Sequence, residues 1–240
     1  MTVTIDIEAL KSQAAAFGVD LTDVQLRQFD LYAAELIAYN EKVNLTAITA
    51  PDEIVTKHFV DSLALLGQIT VPEGASLADV GTGAGFPGMA LLIARPDLRV
   101  TLMDSVNKKL DFLRQLAATL DLNPEIVHIR AEDAGRDPKY REHFDCVTAR
   151  AVSQLNKISE YCVPLVRPGG KFVPLKAPLT EEETETGKLA AGKLGCKLLE
   201  IKRYQIPGGD NREVLIFEKR SHTPSNYPRP SAKISKTPLK

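Results

Sequence analysis

The sequence is short of the features that would place it in several large classes. Its three cysteines, Cys146, Cys162 and Cys196, are odd in number and widely spaced, so they neither build a disulfide framework nor follow a zinc-ligand pattern, and a reducing compartment is expected. No run approaches the roughly 18 continuous apolar residues of a membrane span, and the opening residues lack the charged and apolar regions of a secretory leader. The expectation is a soluble, cytoplasmic protein with no membrane partner. The four histidines share no metal-ligand spacing, so no metal is expected. A formal net charge of −1, taken whole, argues neither for nor against nucleic acid.

What is present is enough apolar residue, 44% of 240, for one large α/β domain with a small appendage. The charge is unevenly placed. From Lys219 to Lys240 there are six Lys or Arg and no acid, which leaves 24 basic and 31 acidic side chains in the first 218 residues. A basic, proline-containing tail (221–240) therefore follows an acidic body. It is expected to be extended or mobile. Residues 1–70 predict a helical cap: Leu26, Phe29, Leu31, Leu36 and Ile37 recur at helical spacing, and Thr22, Asp23 and Gln25 form a capped start. The stretch Asn40 to Thr49 interrupts that pattern.

From Ala75 short apolar runs alternate with amphipathic segments, the pattern of a parallel sheet with crossover helices. Strands are expected at 77–80, 100–104, 126–129, 145–149, 171–176, 198–204 and 213–219, with helices at 87–94, 107–121, 155–165 and 181–194. The last two strands are joined by Pro207, Gly208, Gly209, Asp210 and Asn211, too short a connection for a helical crossover, so they should form an antiparallel hairpin. The predicted class is α/β: a Rossmann-like domain (71–220) with a mostly parallel seven-stranded sheet closed by that hairpin.

The strongest local pattern is the run from Asp79 through Gly81, Gly83, Gly85, Phe86 and Pro87 to Gly88, where a buried strand gives way to a helix. Glycines there let the backbone approach a ligand, and free N–H groups at the helix start attract negative charge. Gly83, Gly85 and Gly88 also satisfy dinucleotide spacing, which keeps an NAD-dependent oxidoreductase as an alternative. Asp79 weighs against it, because a carboxylate at that strand end suits a ligand bearing an ammonium group better than a pyrophosphate. Asp104 ends the next strand, where an acid accepts hydrogen bonds from ribose hydroxyls. Ala131, Glu132 and Asp133 follow the third strand, within reach of an adenine edge.

Ordered along nearly the whole chain, YNEKVNLTAIT (39–49), KHFVDSLAL (57–65), LADVGTGAGFPGMALLIARPD (77–97), LMDSVNKKLDFLRQL (102–116), AED (131–133), TARAVSQL (148–155) and YPRPSAKISKTPL (227–239) resemble the RsmG (GidB) family of ribosomal RNA small subunit methyltransferases. The resemblance implies a class I fold and an enzyme that uses S-adenosyl-L-methionine to methylate N7 of one guanine in the decoding region of 16S rRNA. It also implies that Gly81 and Phe86 line the cofactor pocket, that Asp104 lies near the ribose and Ala131 and Glu132 by the adenine, and that Arg150 sits at the pocket mouth. Pro174, inside the fifth strand, departs from an ideal ladder and should remove one bond from it.

The chemistry agrees. Guanine N7 is a lone-pair acceptor, so its methylation needs alignment more than a base. Cytosine C5 methylation would call for a thiolate, commonly after proline, and no Pro-Cys pair exists. Amine methyltransferases carry an Asp/Asn-Pro-Pro-aromatic turn after the fourth strand, where this chain has Thr148, Ala149, Arg150 and Ala151. Arg150 suits a phosphate or a guanine edge, or else a structural ion pair. Asn44 is a candidate for touching the target base, against a purely local turn role. Arg229 and its basic neighbours, with Tyr227, offer phosphate and stacking contacts. The expected partner is 16S rRNA or the 30S subunit, met by a monomer. A methyltransferase for small molecules or proteins on the same fold, and a silent RNA-binding module, are the remaining alternatives.

Overall fold

The computed structural model of the chain describes residues 4–150 and 153–240. The first three residues of the cap, and Ala151 and Val152 after β4, lie outside the described residues. Seven strands, β1 (Ser76–Val80), β2 (Arg99–Asp104), β3 (Glu125–His128), β4 (Phe144–Arg150), β5 (Val166–Lys176), β6 (Cys196–Gln205) and β7 (Asn211–Lys219), form one sheet in the order β3-β2-β1-β4-β5-β7-β6. The first five pair in parallel. β7 pairs antiparallel with both β5 and β6, so the expected hairpin is present and β7 alone is reversed. Its turn rests on Gly208 and Gly209, both at φ 94°, a conformation glycine adopts without penalty. Pro174 keeps its register with Ala149 of β4. Towards β7 the pairing lapses between Phe172 and Leu175, where the proline has no N–H to donate.

Side chains alternate across the sheet as strand geometry requires. Leu77, Leu102, Cys146 and Leu175 enter one core, and Ala78, Val80, Met103, Val147 and Ala149 the other. α5 (Gly88–Ala94) and α6 (Asn107–Thr119) cover the first face, and α8 (Leu155–Cys162) and α9 (Glu181–Lys193) the second. Cysteine burial follows the same logic: all three thiols are free and buried, and burial pushes those of Cys146 and Cys196 up to about 12.

The N-terminal helices α1 (Ile7–Ala15) and α2 (Asp23–Asn40) add to the first core. Thr22 and Gln25 close a reciprocal capping box at the start of α2, as their spacing predicts. Beyond α2, Asn40 organises the break: its Oδ1 accepts from the N–H groups of Leu45 (2.8 Å) and Thr46 (3.0 Å), and its Nδ2 donates to Thr46 O. A continuous rod follows, α3 (Pro51–Glu53), a π-helical turn (Ile54–Val60) and α4 (Asp61–Gln68), with helical backbone at both junctions.

The tail departs from expectation. It docks on the α8 side and ends in a short helix, α10 (Ser231–Lys236), with Ile234 and Leu239 buried. Of the six cations from Lys219 onward, three are paired with carboxylates of the protein. Lys219 is fully buried and donates to Val163 O and Thr223 Oγ1, Arg220 pairs with Glu218, and Arg229 pairs with buried Glu160. Counting charges along the sequence does not distinguish a cation in solvent from one that holds a fold together.

Candidate functional site

The loop between β1 and α5 folds around Asp79. This carboxylate is fully buried, and its Oδ2 accepts from Thr82 Oγ1 (2.7 Å) and from the N–H of Gly88 (2.8 Å). The N–H groups of Gly81 and Thr82 donate to Met103 O, that of Gly83 to Asp104 Oδ2 (2.9 Å), and those of Gly85 and Phe86 to Thr82 O. The expectation that the helix start offers free N–H groups to a ligand is therefore corrected: Asp79 already occupies the N-terminus of α5. Gly85 (φ 100°) is needed for packing, since a Cβ there would lie 2.5 Å from Tyr32 Oη.

Asp79 Oδ1 is buried and has no hydrogen-bond partner among the described residues. Desolvation raises the Asp79 pKa to about 6, against the lowering effect of Thr82, Gly88 and Arg150. An ionised carboxylate with an unused buried oxygen is costly, and nearby positive charge lowers that cost.

Phe86 joins the loop to the N-terminal helices. Its ring stacks on Tyr32 (5.1 Å between centroids, 7°) and on His58 (4.4 Å, 10°), and the Arg150 guanidinium lies 5.1 Å from its centre. Tyr32 donates to Ala84 O. His58 lies between Thr46 Oγ1 (2.9 Å, to Nε2) and Arg150 (3.3 Å, to Nδ1); Arg150 can only donate, so the proton sits on Nε2. Burial, then the Arg150 charge, lowers the His58 pKa to about 3. The ring is neutral.

Arg150, at the end of β4, is held by the π-helical turn and the start of α4. It donates to Lys57 O (3.2 Å) and pairs with Asp61 Oδ2 (3.0 Å). Asp61 Oδ1 takes Arg212 of β7 (2.9 Å). One buried carboxylate thus ties the helical layer to β4 and β7.

Two concavities open at the carboxyl ends of the strands, where ligands of open α/β sheets bind. The first, about 200 Å³, is lined by Gly81, Asp104, Ser105, Ala131, Glu132, Ile158, Tyr161 and Ser231 among others. The second, about 660 Å³, lies between the helical layer and the ends of β4 and β5, with Lys57, His58, Arg150, Lys176 and Arg212 around apolar Leu175, Pro178 and Leu179. The structure brings Gly81, Asp104, Ala131 and Glu132 together at the first. Asp79, Gly83, Gly85 and Phe86 lie beneath it in the loop, and Arg150 lines the second. Asn44 is exposed, its expected turn role taken by Asn40. Arg229 is bound to Glu160. Tyr32, His58, Tyr161 and Ser231 were not foreseen. Helical periodicity marks Tyr32 only as core, and the tail gives Ser231 no distinguishing pattern.

A parallel sheet in this order with one reversed strand, a glycine turn after its first strand and an acid ending its second define a class I S-adenosyl-L-methionine-dependent methyltransferase. A methyltransferase from Pyrococcus furiosus shares this fold at a TM-score of 0.55 and 18% identity, over 78% of this chain and 95% of that one. The family model for rRNA small subunit methyltransferase G matches residues 25–214. Proteins named ribosomal RNA small subunit methyltransferase G from Desulfitobacterium hafniense and Leuconostoc mesenteroides are 47% and 44% identical to it, covering 92% and 97% of this chain and equal shares of their own. The chain belongs to the rRNA small subunit methyltransferase G family.

Proposed function

We propose that the protein transfers the methyl group of S-adenosyl-L-methionine to N7 of a guanine in 16S rRNA, acting as a monomer on the small ribosomal subunit. The observation that carries the reading is that the two concavities open beside the adjacent ends of β1 and β4, Gly81 lining one and Arg150 the other. A donor in the first then faces an acceptor in the second. Asp104 receives the ribose, Ala131 and Glu132 flank the adenine, and the negative charge of Asp79, buried beneath the loop, attracts the cationic end through the loop and not by contact. When bound, the cofactor supplies a methyl carbon on a positively charged sulfur.

The chain's own residues align the partners and exclude water. N7 presents a lone pair and loses no proton, and the surroundings fit that need. His58 is neutral and enclosed, and among the described residues no thiol is exposed. The larger cleft is lined by Lys57, Arg150, Lys176 and Arg212, each paired with a carboxylate, so that a phosphate would bind by sharing these cations, and its apolar walls suit a base. The exposed large apolar residues, Val24, Val106, Leu189 and Leu199, lie on separate elements, which supports a monomer.

The test is incubation with methyl-labelled S-adenosyl-L-methionine and, separately, small subunits, naked 16S rRNA and ribosomal protein. Label recovered as 7-methylguanosine at one rRNA position is expected. Label in protein, or on another atom of the RNA, would overturn the reading.

A further inference from the structure

The smaller cavity is closed on one side by a segment from the other end of the chain. Tyr161 of α8 and Ser231, the first residue of α10, both line it, and their hydroxyl oxygens are 3.1 Å apart. They face the cavity to which Asp104, Ala131 and Glu132 contribute from the sheet side.

Ser231 is held there by unusually strong contacts for a terminal segment. Two residues earlier, Arg229 donates its backbone N–H (2.9 Å) and Nε (2.8 Å) to Glu160 Oε1, and its second nitrogen to Oε2 (2.6 Å). Glu160 is fully buried and adjoins Tyr161. A carboxylate so placed is tolerable only with full pairing, and the tail supplies all of it. The preceding residues are fixed too: Arg136 donates to Pro228 O and Arg141 to Tyr227 O, both at 2.8 Å, and Pro228 lies where a side chain on Gly135 would come within 2.9 Å. On the other side, Asn156 donates to Leu239 O (3.0 Å). Every anchor is on α7 (Ala131–Ala134), α8 or the turn after α7, the elements that build the cavity wall.

We propose that the strap from Tyr227 to Leu239 is a wall of the cofactor site, latched by Arg229 on Glu160, and that Ser231 and Tyr161 contact the adenosine half of S-adenosyl-L-methionine. This rests on the cofactor reading given above. The strap lines the smaller cavity and contributes no residue to the larger cleft that takes the acceptor, so its loss should affect cofactor affinity first.

The experiment is calorimetric titration of the full chain with S-adenosyl-L-methionine, beside thermal unfolding without ligand. Ser231→Trp leaves the latch intact and fills the cavity; its Kd should rise about tenfold or more while its Tm stays that of the parent. Arg229→Ala should raise Kd and abolish hydrogen-exchange protection at Ile234. Parental affinity in Ser231→Trp would overturn the strap as a wall even if Arg229→Ala fails to fold. No binding by the parent would remove the cofactor reading and the strap together, whereas binding by the parent and equally by Ser231→Trp removes the strap alone.

Discussion

The imidazole of His58 lies against the ring of Phe86, 4.4 Å between centroids and 10° from parallel, so a residue of the π-helical turn touches the end of the glycine loop. His58→Ala removes that face and the link to Thr46. It should destabilise the protein by about 2 kcal/mol, from lost stacking and a partly collapsed cavity. Denaturant unfolding measures it; a change below about 0.5 kcal/mol would mean that the stack contributes nothing.

His58 and Asp79 should oppose each other in acid. The folded-state pKa of His58 is depressed to about 3, so its contribution is complete above the unfolded value and is lost as pH falls towards 3. That of Asp79 is raised to about 6, so its contribution is complete below the unfolded value and is lost as pH rises through 6. Between pH 6 and 4 the two slopes, each about 1.4 kcal/mol per unit, cancel. Relative to the parent, Asp79→Asn should lose stability on acidification over that range and His58→Phe should gain it. Parallel curves would refute the assignment.

Asp79→Asn also isolates the charge at the site. The amide oxygen can still accept from Thr82 and Gly88, whereas the negative charge offered to a cation is gone. Cofactor affinity should fall by about 1 to 3 kcal/mol. Calorimetry that finds the parental Kd would remove Asp79 from the binding role and leave it as the loop's organiser.

Gly85→Ala should be among the most damaging small substitutions. The residue combines φ 100° with Tyr32 Oη and Leu113 inside contact distance of a new methyl, so backbone strain and overpacking add to about 3 kcal/mol. Gly18→Ala is the control: φ is 74°, but nothing lies within 4 Å, and only the backbone term of about 1 kcal/mol applies. Equal losses of Tm in the two variants would show that packing against Tyr32 is irrelevant.

Asp61→Asn leaves Arg150 and Arg212 without their shared anion. Removing one member of a buried ion pair costs about 3 to 5 kcal/mol, and the loss should be smaller for Arg212→Met, which leaves Asp61 paired with Arg150. A double-mutant cycle in urea checks it; additive effects would deny that the three act as one network.

Much of this was legible beforehand, and the omissions have a common cause. The strands, the capping box of Thr22 and Gln25, and the reversed last strand follow from local periodicity and connection length, and all are present. Asp104, Gly81, Ala131 and Glu132 converge because strand ends in such a sheet must. Asp79 could have been oriented better: it shares parity with Leu77, so it points to the α5 face and away from the cavity on the α8 side. The stack of Tyr32, Phe86 and His58 joins three distant segments and leaves no mark in any of them. The tail misled for a related reason. Its cations look like a surface for phosphates, but Glu142, Glu160 and Glu218, which neutralise three of them, lie far away or on the preceding strand.

The π-helical turn sets a rotational phase. Successive residues of an α-helix are 100° apart, and the wider turn from Ile54 to Val60 takes up one extra residue so that the halves on either side keep their phase. Deleting a residue before His58 in that turn would leave the rod in place and move His58 by about one position around it. The imidazole would then leave the aromatic stack while Asp61 kept its arginines, so a change that improves the helix as a helix would cost it the contact with the glycine loop.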